Sequence, residues 1–194
     1  MQVYKAVLKR RSIRKYKEKH IPAVLLRKMV NAARLAPSAA NLQPCEYVIV
    51  NKEDMLEPVF HTLKWAGYIF PEGTPPFGHR PMAYIVVLVN RNIAKYDQGH
   101  DTGAAIQNML LTAYEDGLGT CWLVSVDRAK LRKLLHIPER YNINSVVSAG
   151  FPDEEPLAVP LKDSIKYWVD SRNRMHVPKR RIEDILHMNG FSKK

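Results

Sequence analysis

Apolar residues along the chain alternate between helical spacing and short continuous runs. Helical spacing is clearest over Val24–Leu35 and over Asp101–Leu118. Four shorter helices are predicted at residues 1–9, 52–63, 127–135 and 182–188. The continuous runs predict buried strands, because β-branched and aromatic side chains pack well on a pleated sheet. These runs are Glu46–Asn51, Ala83–Asn90, Thr120–Val124 and Ile143–Gly150.

The helix predicted at 101–118 differs from the others because its apolar band extends more than half way round. The band consists of Ala104, Ala105, Met109, Leu110, Leu111, Ala113 and Tyr114. A helix of this kind belongs in the centre of a domain or at a subunit interface. Gly117 and Gly119 are predicted to end it as a C-terminal cap and a turn.

The remaining segments are loops, a hairpin and a basic stretch. Residues 64–81 combine four aromatic residues with prolines and glycines, which is typical of a lid or pocket wall, or of a loop packed by its own aromatics. After a proline-rich loop at 151–160, a hairpin is predicted from 165–169 and 175–177. No linker interrupts the chain, so residues 1–194 are expected to form a single domain.

Composition narrows the choice of partners. The net charge of +11 favours anionic partners, although a solvated basic surface would give the same value. The basic residues are spread through helices and ends without a nucleic-acid-binding signature, so no nucleic-acid partner is expected. No apolar run is long enough for a membrane span and no signal peptide is visible, which predicts a cytoplasmic protein. Cys45 and Cys121 are expected to be reduced, packed thiols.

Two stretches carry candidate binding chemistry. Residues 9–14 place three arginines around Ser12, and the planar guanidinium fork suits a dianionic phosphate. An exposed basic turn is the plainer interpretation of this motif. Residues 34–45 combine small side chains and two prolines with Asn41 and Gln43, which would let the backbone lie against a flat ligand.

Other kinds of chemistry have no motif in the sequence. There is no Gly-x-Gly-x-x-Gly or Walker loop, no Gly-x-Ser-x-Gly elbow, and no histidine at a metal-site spacing, so no metal is expected. Ser38 and Ser125 have no local base that would activate a nucleophile. This shortage of acid–base candidates is typical of an enzyme whose cofactor carries the reaction.

Five stretches, in order, resemble the successive signatures of the FMN-dependent nitroreductase family in its short, single-domain form. They are residues 9–16, 36–44, 101–111, 117–122 and 178–186. The resemblance implies an α+β fold, with a central, mostly antiparallel sheet flanked by helices. It also implies an intertwined homodimer with two FMN sites at the interface, in which the helix at 101–118 packs against its partner copy.

The resemblance also assigns residues to the FMN site. Arg10, Arg11, Ser12 and Arg14 would hold FMN from one subunit, with Arg10 meeting the phosphate together with Lys179, Arg180 and Arg181. Pro37, Ser38, Ala39 and Asn41 of the other subunit would line the ring, and Leu123, Val124 and Ser125 would supply backbone contacts. Arg14 would lie near the N1/C2 carbonyl edge, where a cation stabilises the negative charge of the reduced ring.

The function implied is hydride transfer from NAD(P)H through flavin N5 to an electron-poor small molecule, such as a nitroaromatic or a quinone, with ping-pong kinetics. Alternatives within the same fold are a flavin-fragmenting or reductive dehalogenating enzyme, and a flavin-binding sensor without turnover. Two positions depart from the family pattern. Cys45 stands where an aromatic residue is common, and Val124-Ser125 stands where a glycine is common. The second departure is expected to change the donor facing N5 or to narrow the pocket, while residues 64–81 would decide specificity.

Overall fold

The structure, a computed structural model, describes residues 3–94 and 99–191. Its helices are α1 (Val3–Lys9), α2 (Ala23–Arg34), α3 (Glu53–Phe60), α4 (Gly99–Glu115) and α5 (Arg128–Leu134). Its strands are β1 (Cys45–Val50), β2 (Ala83–Asn90), β3 (Gly119–Leu123), β4 (Tyr141–Gly150), β5 (Leu157–Pro160), β6 (Trp168–Val169) and β7 (Met175–Lys179). Short 3-10 turns occur at Ala39–Asn41, Gly67–Ile69 and Ile182–Asp184. None of the helices in the described ranges is long and apolar enough to span a bilayer.

The chain divides into two compact units, residues 1–154 and residues 155–194. The first unit contains a four-stranded sheet with the order β1-β2-β4-β3, in which every neighbouring pair is antiparallel. The predicted α+β fold with a mostly antiparallel sheet is therefore confirmed. Whether residues 1–194 act as one domain stays a prediction.

Helices cover both faces of this sheet, which explains why strand β2 is almost entirely apolar. Ile85 and Val87 of β2 face one core cluster with residues of α2 and α4. Tyr84, Val86 and Leu88 face a second cluster with residues of α3 and α5. Because successive side chains of a strand point to opposite faces, a strand buried on both faces reads as a continuous apolar run. Strand β2 begins at Ala83 and ends at Asn90, as the sequence predicts.

The second unit contains a small sheet in which β7 pairs with β5 in parallel and with β6 in antiparallel orientation. The predicted hairpin is confirmed, although β6 has only two residues. The prediction of a loop throughout 151–160 is wrong, because Leu157–Pro160 forms β5. The helix predicted at 182–188 is also wrong, since only the turn Ile182–Asp184 forms there. Ile185, Leu186 and Met188 are exposed, so no buried face stabilises a helix.

Candidate functional site

The segment from Arg10 to Tyr16, here called the N-terminal arm, lies along the open edge of β3. Ser12 forms a parallel bridge with Thr120, and the Ile13 N–H donates to the Thr120 carbonyl at 2.9 Å. The Lys17 N–H continues the contact by donating to the Phe151 carbonyl at 2.9 Å. An edge strand has unpaired backbone groups, and the arm satisfies them. The sheet therefore sets the position of the arginines on the arm.

Two glycines let the arm approach the sheet closely. Gly119 and Gly150 are partners in the β3–β4 register. A Cβ added at Gly119 would lie 2.8 Å from Ile13 Cγ1, and one at Gly150 would lie 2.6 Å from Tyr16 Cδ1. Gly117, with φ of +75°, follows α4 as predicted. Gly119 is not a turn residue, so that prediction is wrong: it begins β3, and the close contact with Ile13 explains its missing side chain.

Tyr16 fixes the arm from inside the core. Its ring is fully buried, and its hydroxyl donates to the Ile13 carbonyl and lies 2.9 Å from Ser148 Oγ. Burial raises the pKa of the Tyr16 hydroxyl well above its usual value, so this group stays protonated and keeps its hydrogen bonds. On the other side of the arm, Glu154 Oε1 accepts the backbone N–H of Arg14 and, at 3.2 Å, that of Lys15.

The arginines at the start of the arm form a concentrated positive site. Arg10 and Arg11 are half-buried, and Arg11 donates to the carbonyls of Arg10 and, at 2.7 Å, Leu8. Burial, followed by the neighbouring Arg11 charge, lowers the pKa of the Arg10 guanidinium. Within the described part of the chain, neither side chain forms an ion pair with a carboxylate. Two adjacent, partly desolvated cations without a counter-ion favour binding of an anion.

The loop at residues 37–43 presents small residues to the surface. Pro37, Ala39 and Asn41 are exposed, and Ser38 is half-buried. Positive φ values occur at Ala40 (48°), Asn41 (55°) and Gln43 (51°), so the loop doubles back on itself. The Gln43 N–H donates to Ser38 Oγ at 3.0 Å, which holds this shape.

Asp101, near the start of α4, attaches this loop to the core. Its side chain is 4% exposed, and Oδ1 accepts the Ala39 N–H at 3.0 Å. A cavity of about 140 Å³ lies beside it, with Pro37, Ser38 and Cys45 in its lining. Burial, followed by the Asp101 charge, raises the pKa of the Cys45 thiol, so Cys45 stays neutral at pH 7. Cys45 and the buried Cys121 are both free, as predicted.

The predicted backbone contacts at 123–125 follow the end of β3. Leu123 is buried, whereas Val124 is 58% exposed and Ser125 is exposed. The Ser125 carbonyl accepts the Lys64 N–H at 3.0 Å, and Val126 forms an isolated bridge with Leu63. The segment is therefore fixed on one side and open to ligand on the other.

The basic residues at 179–181 lie in the second unit. Lys179 ends β7, and all three residues are exposed. Arg180 Nη2 donates to the Asp184 carbonyl at 2.7 Å, and Arg181 pairs with the Asp184 carboxylate at 3.5 Å. Their predicted meeting with Arg10 at a phosphate stays a prediction.

The aromatic loop at 64–81 has one buried end, and its role as a lid or pocket wall stays a prediction. Trp65 is 3% exposed and stacks on Phe60 with ring centroids 5.5 Å apart, so this end of the loop belongs to the core. Phe70 and Phe77 are 71% and 84% exposed, so this part of the loop is not packed by its own aromatic residues.

Several residues that shape the site were not identified from the sequence. Glu154 holds the arm from 140 positions away in the chain, and no local pattern indicates such a contact. The sequence does give a signal for a role of Asp101 at the site. It is the first residue of the stretch 101–111, which resembles the family, and it is an acidic residue near the start of an apolar helix. In the ranges 3–94 and 99–191, no group of three or more His, Cys, Asp or Glu side chains is arranged for a metal ion.

An antiparallel sheet with helices on both faces, and with a basic N-terminal arm along one edge, places the chain among the α+β domains. The model of the nitroreductase family matches residues 7–151. The chain therefore belongs to the nitroreductase family, and the resemblance found in the sequence is confirmed.

Individual proteins that are similar to this chain also belong to or resemble the nitroreductase family. A provisionally named NADH dehydrogenase/NAD(P)H nitroreductase of Archaeoglobus fulgidus is 35% identical over 158 residues, covering 78% of this chain and 86% of that protein. The structure of an FMN-dependent nitroreductase from Clostridium difficile R20291 is 27% identical, with a TM-score of 0.70 and coverage of 96% and 98% of the two chains. A provisionally named nitroreductase from Desulfovibrio desulfuricans, solved in complex with FMN, has a TM-score of 0.69 at 23% identity and covers 99% of each chain, which shows the same fold.

Proposed function

We propose that this protein is an FMN-dependent oxidoreductase that moves a hydride from NAD(P)H to an electron-poor small molecule. The observation that carries the proposal is the Arg10–Arg11 pair, which is half-buried and has no carboxylate partner among the described residues. A phosphate dianion would supply the missing counter-charge, and the residues present fit the phosphate of FMN. Membership of the nitroreductase family supports the same cofactor.

Different residues of the arm would contact different parts of FMN. Arg10, Arg11 and Ser12 would hold the phosphate. Arg14 lies at the N1/C2 carbonyl edge of the ring, where its charge stabilises the reduced form. FMN held by these residues would supply the two-electron chemistry that carries a hydride between NAD(P)H and the acceptor.

Two further segments of the chain contact the ring. Leu123, Val124 and Ser125 face it with backbone groups, and Pro37, Ser38, Ala39 and Asn41 come from a second copy of the chain. Nucleotide and acceptor then occupy the same space in turn, which gives ping-pong kinetics. The loop at 64–81, with its exposed Phe70 and Phe77, would decide which acceptor is used.

A homodimer is part of the proposal because α1 has an uncovered apolar face. Val3, Tyr4 and Leu8 are 71%, 72% and 53% exposed. Beside this face, a cavity of about 410 Å³ lies between α1, α2 and α4, with Ala6, Ala32 and Leu111 in its lining. Surfaces of this kind are typical of subunit interfaces.

Anaerobic titration of the purified protein with NADH and with NADPH tests the function. We expect a yellow protein whose FMN absorbance is lost stoichiometrically on reduction and returns when a nitroaromatic or a quinone is added. Colourless protein that takes up no added FMN would contradict the proposal.

Arg10→Ala tests the site itself. Loss of a charge-assisted contact to phosphate costs about 1.5–3 kcal/mol, so the Kd for FMN should rise roughly 10- to 100-fold. The control is Arg27→Ala, which removes an exposed arginine of α2 and should leave FMN binding unchanged. If Arg10→Ala and Arg27→Ala bound FMN with the same Kd, Arg10 would not contact the phosphate.

A further inference from the structure

Arg128, the first residue of α5, contacts four backbone carbonyls. Its Nε donates to Ile143 at 2.8 Å, and its Nη2 donates to Asn144 at 2.9 Å. The same Nη2 reaches the Val124 carbonyl at 3.2 Å, and Nη1 reaches that of Val126 at 3.4 Å. A guanidinium has five N–H donors in a rigid plane, so it can bridge carbonyls that a lysine cannot reach together.

These contacts lie where β3 and β4 separate. The β3–β4 ladder ends at the pair Leu123 and Val146, while β4 begins at Tyr141. Residues 124–126 therefore leave the sheet, and their backbone no longer pairs with Ile143 and Asn144. Arg128 connects the two segments at the point where the ladder stops.

The peptide between Val124 and Ser125 is consequently held in one orientation. A peptide unit is planar and its C=O and N–H point in opposite directions. Since the Val124 carbonyl points to Arg128, the Ser125 N–H points away from it. The Ser125 carbonyl is in turn held by the Lys64 N–H at 3.0 Å. Both neighbouring peptide planes are thus fixed, at exposed residues that the proposed function assigns to the flavin ring.

We propose that Arg128 is a positioning residue that orients the Ser125 N–H toward the flavin ring. The inference rests on the proposed function and deepens it. Arg128 acts through the backbone of Val124 and Ser125, and it does so at the two positions where the sequence departs from the family pattern. A rigid peptide replaces the conformational freedom that a glycine would have given there.

Arg132 provides a matched control on the same helix. It lies one turn further along α5 and also donates to backbone carbonyls, namely those of Ile137 at 3.1 Å, Pro138 at 2.7 Å and Tyr141 at 2.7 Å. These acceptors belong to the turn before β4 and to its first residue, and they do not include residues 123–126. Substitution of either arginine removes a similar set of hydrogen bonds, but only Arg128 contacts the segment at the proposed flavin site.

The test compares Arg128→Lys with Arg132→Lys in the FMN-loaded protein. Both variants should lower Tm. In wild type and Arg132→Lys, FMN should slow hydrogen exchange in the peptide containing residues 122–127, and NAD(P)H should reduce the flavin at rates within about twofold of each other. Arg128→Lys should lose this protection, and flavin reduction should slow roughly 10- to 100-fold, as expected when a reacting geometry shifts by about 1 Å.

If Arg128→Lys is too unstable to bind FMN, Ser125→Pro tests the same N–H, because proline has no backbone N–H to orient. It should slow flavin reduction to a similar extent. Wild-type protein that binds no FMN would overturn the proposed function and this inference together. Two outcomes would overturn the inference alone when the wild-type protein is active. One is a wild-type rate of flavin reduction in Arg128→Lys together with wild-type protection of residues 122–127 from hydrogen exchange. The other is a wild-type rate of flavin reduction in Ser125→Pro.

Discussion

Gly119 shows how a single residue determines the position of the N-terminal arm. The contact is tight because Ile13 is 8% exposed and its N–H is held by the Thr120 carbonyl. Gly119→Ala would place a methyl group 2.8 Å from Ile13 Cγ1. Overpacking of this kind costs about 1–3 kcal/mol in the free energy of unfolding. We expect that loss in urea unfolding, together with weaker FMN binding, because the arm and its arginines must shift.

Gly67→Ala is the control for this substitution. A Cβ at Gly67 would meet nothing within 4 Å, and the residue lies in a short 3-10 turn. The free energy of unfolding should change by less than about 0.5 kcal/mol, with FMN binding unchanged. If the two variants had the same free energy of unfolding, the arm would be able to move away from the added methyl group without loss of stability.

Among single residues, the candidate binding residues of the arm are visible in the sequence because they form a short motif. Arg10, Arg11, Ser12 and Arg14 lie within five positions, and their donor chemistry is visible in the sequence. Arg128 gives no such signal, because an arginine at the start of a short helix looks like an ordinary surface charge. Its role depends on where β3 and β4 separate, and this separation is set by pairing across the sheet.

At the scale of elements, the β6–β7 hairpin depends on Asp170. One carboxylate oxygen accepts the N–H groups of Arg172 and Arg174, both at 2.9 Å, and the other lies 2.9 Å from His176 Nε2. The hydrogen bond to His176, followed by that from Arg174, lowers the pKa of Asp170 from 3.8 to about 2. A lowered pKa in the folded state means that ionised Asp170 stabilises the hairpin at neutral pH.

This contribution has a defined pH window. It is complete above the unfolded pKa of 3.8 and is lost as pH falls through about 2. Asp170→Asn should therefore speed hydrogen exchange in residues 168–176 at pH 7, and its difference from wild type should shrink steadily below pH 4. Asp163→Asn, an exposed position in the same unit, serves as the control and should leave exchange unchanged at either pH. If the hydrogen-exchange rates of Asp170→Asn and wild type differed by the same amount at every pH, the ionised carboxylate would not be the cause of the difference.

The strands of the main sheet were predictable because they have buried faces, whereas strand β5 was not. The four strands of the main sheet follow their apolar runs closely, because both core clusters require apolar side chains there. Strand β5 alternates between half-buried and exposed residues and pairs with β7 in parallel, so its partner lies far along the chain. Its flanking prolines resemble those of a loop, which explains why the sequence suggested one.

At the scale of the whole molecule, the proposed site requires two copies of the chain. In this proposal the arm would supply Arg10 from one copy, and the loop at 37–43 would supply Asn41 from the other. The exposed apolar face of α1 gives a physical reason for the copies to associate. Each homodimer then has two sites, and each site contains one Arg10 and one Asn41 from different chains.

Mixed dimers test this arrangement directly. In a dimer of one Arg10→Ala chain and one Asn41→Ala chain, both changes fall in the same site if the site is shared, and the other site keeps its native residues. Such a dimer, isolated with two different affinity tags, should bind one FMN per dimer with wild-type Kd and retain about half of the wild-type activity. The two homodimeric variants serve as controls and should bind FMN weakly at both sites. If each site were built within one chain, every site in the mixed dimer would carry one change, and titration would find two weak sites and no tight one.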